Sequence, residues 1–406
     1  MGYSFLFYPL NDNFAAERKR IGMKYLYTII SFLAIISASS IAQAQVLGNL
    51  FGSNSNDAIS IKTYTFKDGS IYTGEMKSRK PDGKGKTVFP TGDTYEGDYV
   101  KGLREGYGIY SFTDGEKYEG EWRQDKQHGK GIYYFANNNR YDGDWFEDYQ
   151  QGEGTMYYYN GDVYEGTWVA DKREGKGTYT WKNGARYEGD WKADKKEGEG
   201  VFYWEDGSKY EGGWKDNKRS GKGTFEYANG DKYIGDWEND MQHGKGIYFS
   251  HTGDRYEGPY ENGERNGEGV CYFADGNKYV GMYKNGLQNG KGTYTWANGA
   301  VYEGEWLNGE RSGNGTYHWN NGDVYEGQWK NNLFDGEGTL TQVNGTVYTG
   351  HFSKGEKDGK GIEVDKDGKR FEGSYKAGKR EGAFTETDKD GNIIRQGTYK
   401  NDRLQP

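Results

Sequence analysis

The chain has 406 residues, with 62 acidic and 53 basic side chains and a formal charge of −9. That balance argues against bulk binding to nucleic acid or to an anionic membrane by charge alone. One cysteine, Cys271, excludes an intrachain disulfide.

The first predicted element is a leader. Met23-Lys24 precedes an apolar run from Leu26 to Ile36, and small residues follow, ending in Ala42-Gln43-Ala44. A positive start, a short apolar core and an A-x-A site make a secretory signal over residues 1–44, with cleavage after Ala44. The apolar core is short for a membrane span, which needs about 20 residues. A retained anchor is the competing reading. Arg18, Lys19 and Arg20 either extend the basic region or precede a true start at Met23. No cysteine follows the apolar run, which argues against a lipid-modified bacterial N-terminus. Residues 45–60, with Gly52-Ser53-Asn54-Ser55-Asn56, read as a flexible linker. Residues 61–71 read as a capping half-unit.

From residue 72 a tyrosine, a glycine two residues on and a large apolar residue two further recur every 23 residues. Tyr72, Tyr95, Tyr118 and their successors, ending in Phe371, give fourteen starts without an insertion. A fixed period of this kind marks a repeat architecture. In the unit starting at Tyr164, Tyr164, Gly166 and Trp168 alternate with Glu165 and Thr167, the period of a strand with one covered face. Gly177, Tyr179 and Trp181 share one face of a second strand. Asn183-Gly184 then reads as a hairpin turn in which both residues take positive φ. The stretch from Val169 to Gly175 is longer and charged and reads as a surface loop.

The predicted fold is therefore all-β. It is an elongated single-layer antiparallel sheet, a β-hairpin solenoid of about fourteen 23-residue units over residues 72–391, with a C-terminal cap at 392–406. Two strands per unit advance it by roughly 9.5 Å, or on the order of 130 Å in all. The structural repeat positions are Tyr118, Gly120 and Trp122; Tyr141, Gly143 and Trp145; Tyr164, Gly166 and Trp168; Tyr187, Gly189 and Trp191; Tyr302, Gly304 and Trp306; and Tyr325, Gly327 and Trp329. The glycines are expected to let a neighbouring ring lie flat on bare backbone and to let the sheet bend. The tryptophans, including Trp181, Trp204, Trp296 and Trp319 at the end of the second strand, are expected in the core. The opposite face, with Arg186, Glu188 and Asp190 or Lys117, Glu119 and Glu121, is expected to be solvated and self-compensating.

The Tyr-x-Gly-x-Trp strand followed by a charged segment and Gly-x-Gly-x-Tyr resembles the MORN repeat (membrane occupation and recognition nexus). Tyr118-Glu119-Gly120-Glu121-Trp122 with Gly129-Lys130-Gly131 shows it, as does Tyr302-Glu303-Gly304-Glu305-Trp306 with Gly313-Asn314-Gly315. With the leader, it points to an exported bacterial member. The resemblance implies stacked hairpins and an interaction or scaffolding role, sometimes near membranes, with lipid binding proposed and disputed. Departures cluster at the ends, as in other repeat arrays: Met76 replaces the first aromatic, Gln342 and Asp365 replace aromatics ending second strands, and Phe384 stands where a glycine belongs. Segments 127–133 and 242–248 match at an offset of 115 residues, which either records a five-unit duplication or reuses a constrained motif.

No catalytic constellation is legible. The five histidines are scattered across units, so no metal site follows. The Gly-x-Gly triplets lie between predicted strands with no following helix, which disfavours a phosphate cradle and any cofactor. The leading expectation is a non-catalytic exported scaffold that binds a protein partner or itself. Glycan binding by exposed aromatic rows is one rival, decided by the exposure of Trp145, Trp168 and Trp191. Association with phospholipid, or with a lipid-modifying enzyme, is another; it needs a basic surface.

Overall fold

The computed structural model describes residues 61–406. The leader expected at 1–44 and the linker at 45–60 lie outside the described residues. Within 61–406 the chain forms one 32-stranded antiparallel sheet. Each strand pairs with its sequence neighbours, from Ile61–Thr65 against Ile71–Lys77 to Ile393–Lys400 against Arg403–Leu404, except that Glu264–Arg265 and Gly267–Tyr272 form one interrupted strand against Arg255–Glu261, and the sheet stays open at both ends.

The unit from Tyr164 shows how the sequence builds this sheet. Its first strand is Val163–Val169 and its second is Lys172–Thr180. The expected loop at 169–175 is therefore mostly strand. Only Ala170 and Asp171 form the turn, with φ of 47° and 64°. Both are positive, as a two-residue type I′ hairpin requires. Bonds to the preceding unit hold this unfavourable backbone in place: Gln150 N–H donates to Asp171 Oδ1 at 2.8 Å, and Ala170 N–H donates to Gln151 Oε1 at 3.1 Å.

The Asn183-Gly184 connection is the wider of the two. Trp181 N–H donates to Ala185 O at 2.9 Å, closing the turn. Only Gly184 takes a positive φ, at 92°. Asn183 acts through its side chain instead, accepting the Ala185 N–H at 3.1 Å.

The Gly-x-Gly triplets lie inside the second strand and not between strands. Gly175, with a φ of 66°, marks a bulge at which the hairpin register shifts between Gly166 and Trp168. Gly177 then pairs with Gly166 on one side and Gly189 on the other. Repeated through the array, these pairs form a row of facing glycines across the sheet. A side chain on Gly177 would enter the Tyr164 ring, whereas one on Gly166 would meet Gly177 Cα at 2.5 Å. The ring-bearing glycine is thus the second-strand one.

The array ends with a paired change. Phe384 replaces the row glycine opposite Gly373, and Phe371 replaces the tyrosine. Phe371 cannot fold over a side chain, so it stacks on Phe384 at 5.4 Å and 19°.

Candidate interaction surface

The repeat positions form the core. Tyr118, Tyr141, Tyr164, Tyr187, Tyr302 and Tyr325 are fully buried, and each hydroxyl donates to the main-chain carbonyl three residues on, as Tyr118 does to Glu121 at 2.9 Å. Trp168 packs edge-on between Tyr164 and Tyr141, at 5.2 and 5.3 Å. Its indole N–H donates to Gly154 O at 3.1 Å. Trp122, Trp145, Trp191, Trp306 and Trp329 make the equivalent bond one unit back. Gly120, Gly143, Gly189, Gly304 and Gly327 stand in the glycine row with Gly166. These residues hold the sheet together and offer no surface. Trp145, Trp168 and Trp191 are 6%, 3% and 5% exposed, so their rings are closed to sugar stacking. The second-strand tryptophans Trp181, Trp204, Trp296 and Trp319 are only partly buried.

A row of cations lies over the first-strand tryptophans. Arg104, Arg173, Arg219 and Arg311 place their guanidinium carbons 4.1, 4.3, 4.3 and 4.6 Å from the rings of Trp122, Trp191, Trp237 and Trp329. The first three also pair with a turn aspartate of the next unit: Arg104 with Asp125 at 3.1 Å, Arg173 with Asp194 at 3.0 Å and Arg219 with Asp240 at 3.1 Å. Lys196 sits 4.1 Å from the Trp214 ring, and burial pulls its pKa down to about 8. Sequence reading missed this row because residues 169–175 were assigned to a loop. The same 23-residue period carries it: in most units a basic or glutamine residue stands five positions after the first-strand aromatic, and in units such as those of Arg104, Arg173, Arg219 and Arg311 an aspartate or asparagine follows 21 residues later.

The opposite face is ionic, as expected. Lys130–Asp144 and Lys176–Asp190 pair across strands at 2.6 Å each, and Arg186–Glu188 along one strand at 3.2 Å. Such exposed pairs are worth only about 0–1 kcal/mol each, but they leave the surface mixed in sign. Two of the grooves on this face are large. One of about 1080 Å³ is lined by Thr224, Ile234, Ile247 and Pro259; the other, of about 720 Å³, by Ile362 and Phe384 near the C-terminal end.

Cys271 is 3% exposed, and burial raises its thiol pKa. That keeps it protonated and unreactive. Among the described residues no group of three or more His, Cys, Asp or Glu side chains is placed to hold a metal ion.

The MORN repeat matches fourteen consecutive segments, from residues 72–94 to 371–392, in the register set by the tyrosines. The chain belongs to the MORN-repeat family. MORN-repeat proteins are generally non-catalytic scaffolds implicated in protein interaction. No curated protein matches this MORN-repeat chain. Solved structures that it resembles include the TCP10 domain of Danio rerio CPAP bound to a STIL peptide, at 11% identity over 71% of this chain and 97% of that one, with a TM-score of 0.19. Another is the TCP domain of Drosophila melanogaster SAS-4 with a proline-rich motif of Ana2, at 12% identity over 58% and 97%, with a TM-score of 0.15. A third is virginiamycin B lyase from Staphylococcus aureus, at 11% identity over 77% and 98%, with a TM-score of 0.12. At such scores the likeness carries no argument about function.

Proposed function

We propose that this MORN-repeat protein is an exported scaffold whose array binds another protein, or a second copy of itself, along the sheet. One observation carries the reading. The repeated residues are buried, while the exposed positions vary from unit to unit, so the array presents a long graded surface on a uniform frame. A stable interface needs about 800 Å² per partner, which requires several adjacent units. The leader at 1–44 supports export. The ion-paired lysines and arginines of the outer face weigh against an anionic lipid ligand, and the buried first-strand tryptophans weigh against a glycan.

The test is a pull-down from the native envelope with the mature chain as bait, followed by serial removal of units from either end. Affinity holds until the contacted block is reached, then falls steeply. Turnover of a small molecule by the intact chain, abolished by one pocket mutation, overturns the reading. N-terminal sequencing of the exported chain is expected to begin at Gln45. Recovery only inside the cell with residues 1–44 intact contradicts export.

A further inference from the structure

Two neighbouring places in the cation row keep the ring and the acid but lack the cation. At Gln127 and Gln150 a neutral amide replaces the basic residue, and the 21-residue partners are still the aspartates Asp148 and Asp171. The rings 18 residues on, equivalent to Trp122 under Arg104, are still tryptophans, Trp145 and Trp168, and both line the same groove. Elsewhere in the array the substitution is matched: where Gln242 and Gln288 stand in the row, the turn positions are Gly263 and Gly309, with no carboxylate. Only at 127/148 and 150/171 is an acid retained opposite a glutamine.

Asp148 and Asp171 are exposed, and each accepts the main-chain N–H of its glutamine at 2.8 Å. Gln127 and Gln150 are themselves 7% and 5% exposed. Their side-chain amides make no hydrogen bond among the described residues. All four line one groove of about 570 Å³ on the aromatic face, walled by Tyr133, Phe135, Met156 and Tyr158. The flanking places are filled, by Arg104 on Asp125 and by Arg173 on Asp194. The chain's own arginines therefore define what the groove accepts: a guanidinium or ammonium about 4 Å above a tryptophan ring, hydrogen-bonded to a turn carboxylate.

We propose that this groove receives two arginine or lysine side chains from a basic segment of a partner protein, in trans. The inference rests on the protein-binding reading above and places its contact within units three to five. The two sites are one repeat apart, about 9.5 Å. Arginines seven residues apart on a helix are spaced about 10.5 Å along its axis and meet both. Charge complementarity favours such a segment, because among the described residues the two carboxylates lack the counter-charge that Asp125, Asp194 and Asp240 have.

The probe is a fluorescently labelled helical peptide with two arginines at seven-residue spacing, beside a control with citrulline at both places. Anisotropy titrations with the full chain are expected to give binding by the arginine peptide that weakens with salt, and at least tenfold weaker binding by the control. The double variant Gln127→Arg/Gln150→Arg fills both places in cis. It is expected to lower peptide affinity at least tenfold without lowering the melting temperature. Asp148→Asn/Asp171→Asn is expected to weaken binding in the same direction. Equal binding of both peptides, equal binding by wild type and the double arginine variant, or no binding by wild type at millimolar peptide overturns the proposal. Binding of a partner recovered by pull-down that is unaffected by Gln127→Arg/Gln150→Arg also overturns it, and leaves the scaffold reading standing.

Discussion

Gly166 and Gly177 face each other across their hairpin so closely that a Cβ on Gly166 would stand 2.5 Å from Gly177 Cα. The Tyr164 ring covers Gly177 from the same side. A single-layer sheet has no second layer to cover its rings, and this contact between ring and bare backbone takes its place. Gly177→Ala and Gly166→Val are each expected to destabilise by about 1–3 kcal/mol, as overpacked positions do. Glu165→Val, on the solvated face, is expected to stay within about 0.5 kcal/mol. Urea melts of the three variants decide it; equal shifts mean that the two faces are misassigned.

The Ala170-Asp171 turn places two side-chain-bearing residues at positive φ. The left-handed region costs an L-residue about 1–2 kcal/mol, and glycine escapes that cost at some expense in unfolded-state entropy. Ala170→Gly is expected to raise stability by about 0.5 kcal/mol. Asp171→Ala removes the acceptor of the Gln150 N–H and is expected to lower stability by about 1 kcal/mol. A loss of stability in Ala170→Gly would show that the turn is unstrained.

The buried tyrosines predict alkaline unfolding. Burial raises the phenol pKa of Tyr72 and Tyr110 to about 12, and raises those of Tyr118 and Tyr164 as well. An exposed phenol ionises near pH 10, so above that pH the unfolded chain binds fewer protons than the folded one. The stability from neutral buried phenols is fully present below about pH 10 and is lost as pH rises toward 12. Tyrosinate absorbance and β-sheet circular dichroism are expected to change together in this window. Gradual ionisation with the sheet intact contradicts the burial.

Glu386 lies 3% exposed among Lys369, Arg380 and Arg395. Burial pushes its pKa up, but hydrogen bonds from Arg395 and Lys369 outweigh that and hold it below the usual carboxylate range. A depressed folded pKa gives stability that is present above about pH 4.3, the ordinary glutamate value, and lost as pH falls further. Hydrogen exchange across 370–404 is expected to speed up below that pH relative to the central units. In Glu386→Gln this difference should vanish; its persistence would assign the acid sensitivity elsewhere.

Removing one whole unit, residues 187–209, joins Arg186 to Tyr210 in phase. Each strand pairs only with its neighbours, so a shortened array should fold with the same circular dichroism per residue and a similar melting temperature. Collapse to an unfolded chain would show long-range coupling that a nearest-neighbour stack lacks.

The sequence by itself determined the period, the two strands per unit and the burial of Tyr164 and Trp168, because alternation and a 23-residue repeat are properties of the chain alone. The turn at Ala170-Asp171 was not legible. Within this unit Ala170 does not favour positive φ, though aspartate tolerates it, and bonds to Gln150 and Gln151 of the preceding unit help hold it there. The turn signal stood instead at the equivalent pairs Asn262-Gly263, Asn285-Gly286 and Asn308-Gly309. Losing that turn hid the second strand's start at Lys172, and with it Arg173 over Trp191. The bulge at Gly175 shifts the register within each hairpin, so which residue lies over which ring is fixed between units rather than within one. The groove at Gln127 and Gln150 follows the same logic. It exists where the row residue, here a glutamine, comes from one repeat and the ring and acid from the next, and only stacking the hairpins brings the three together.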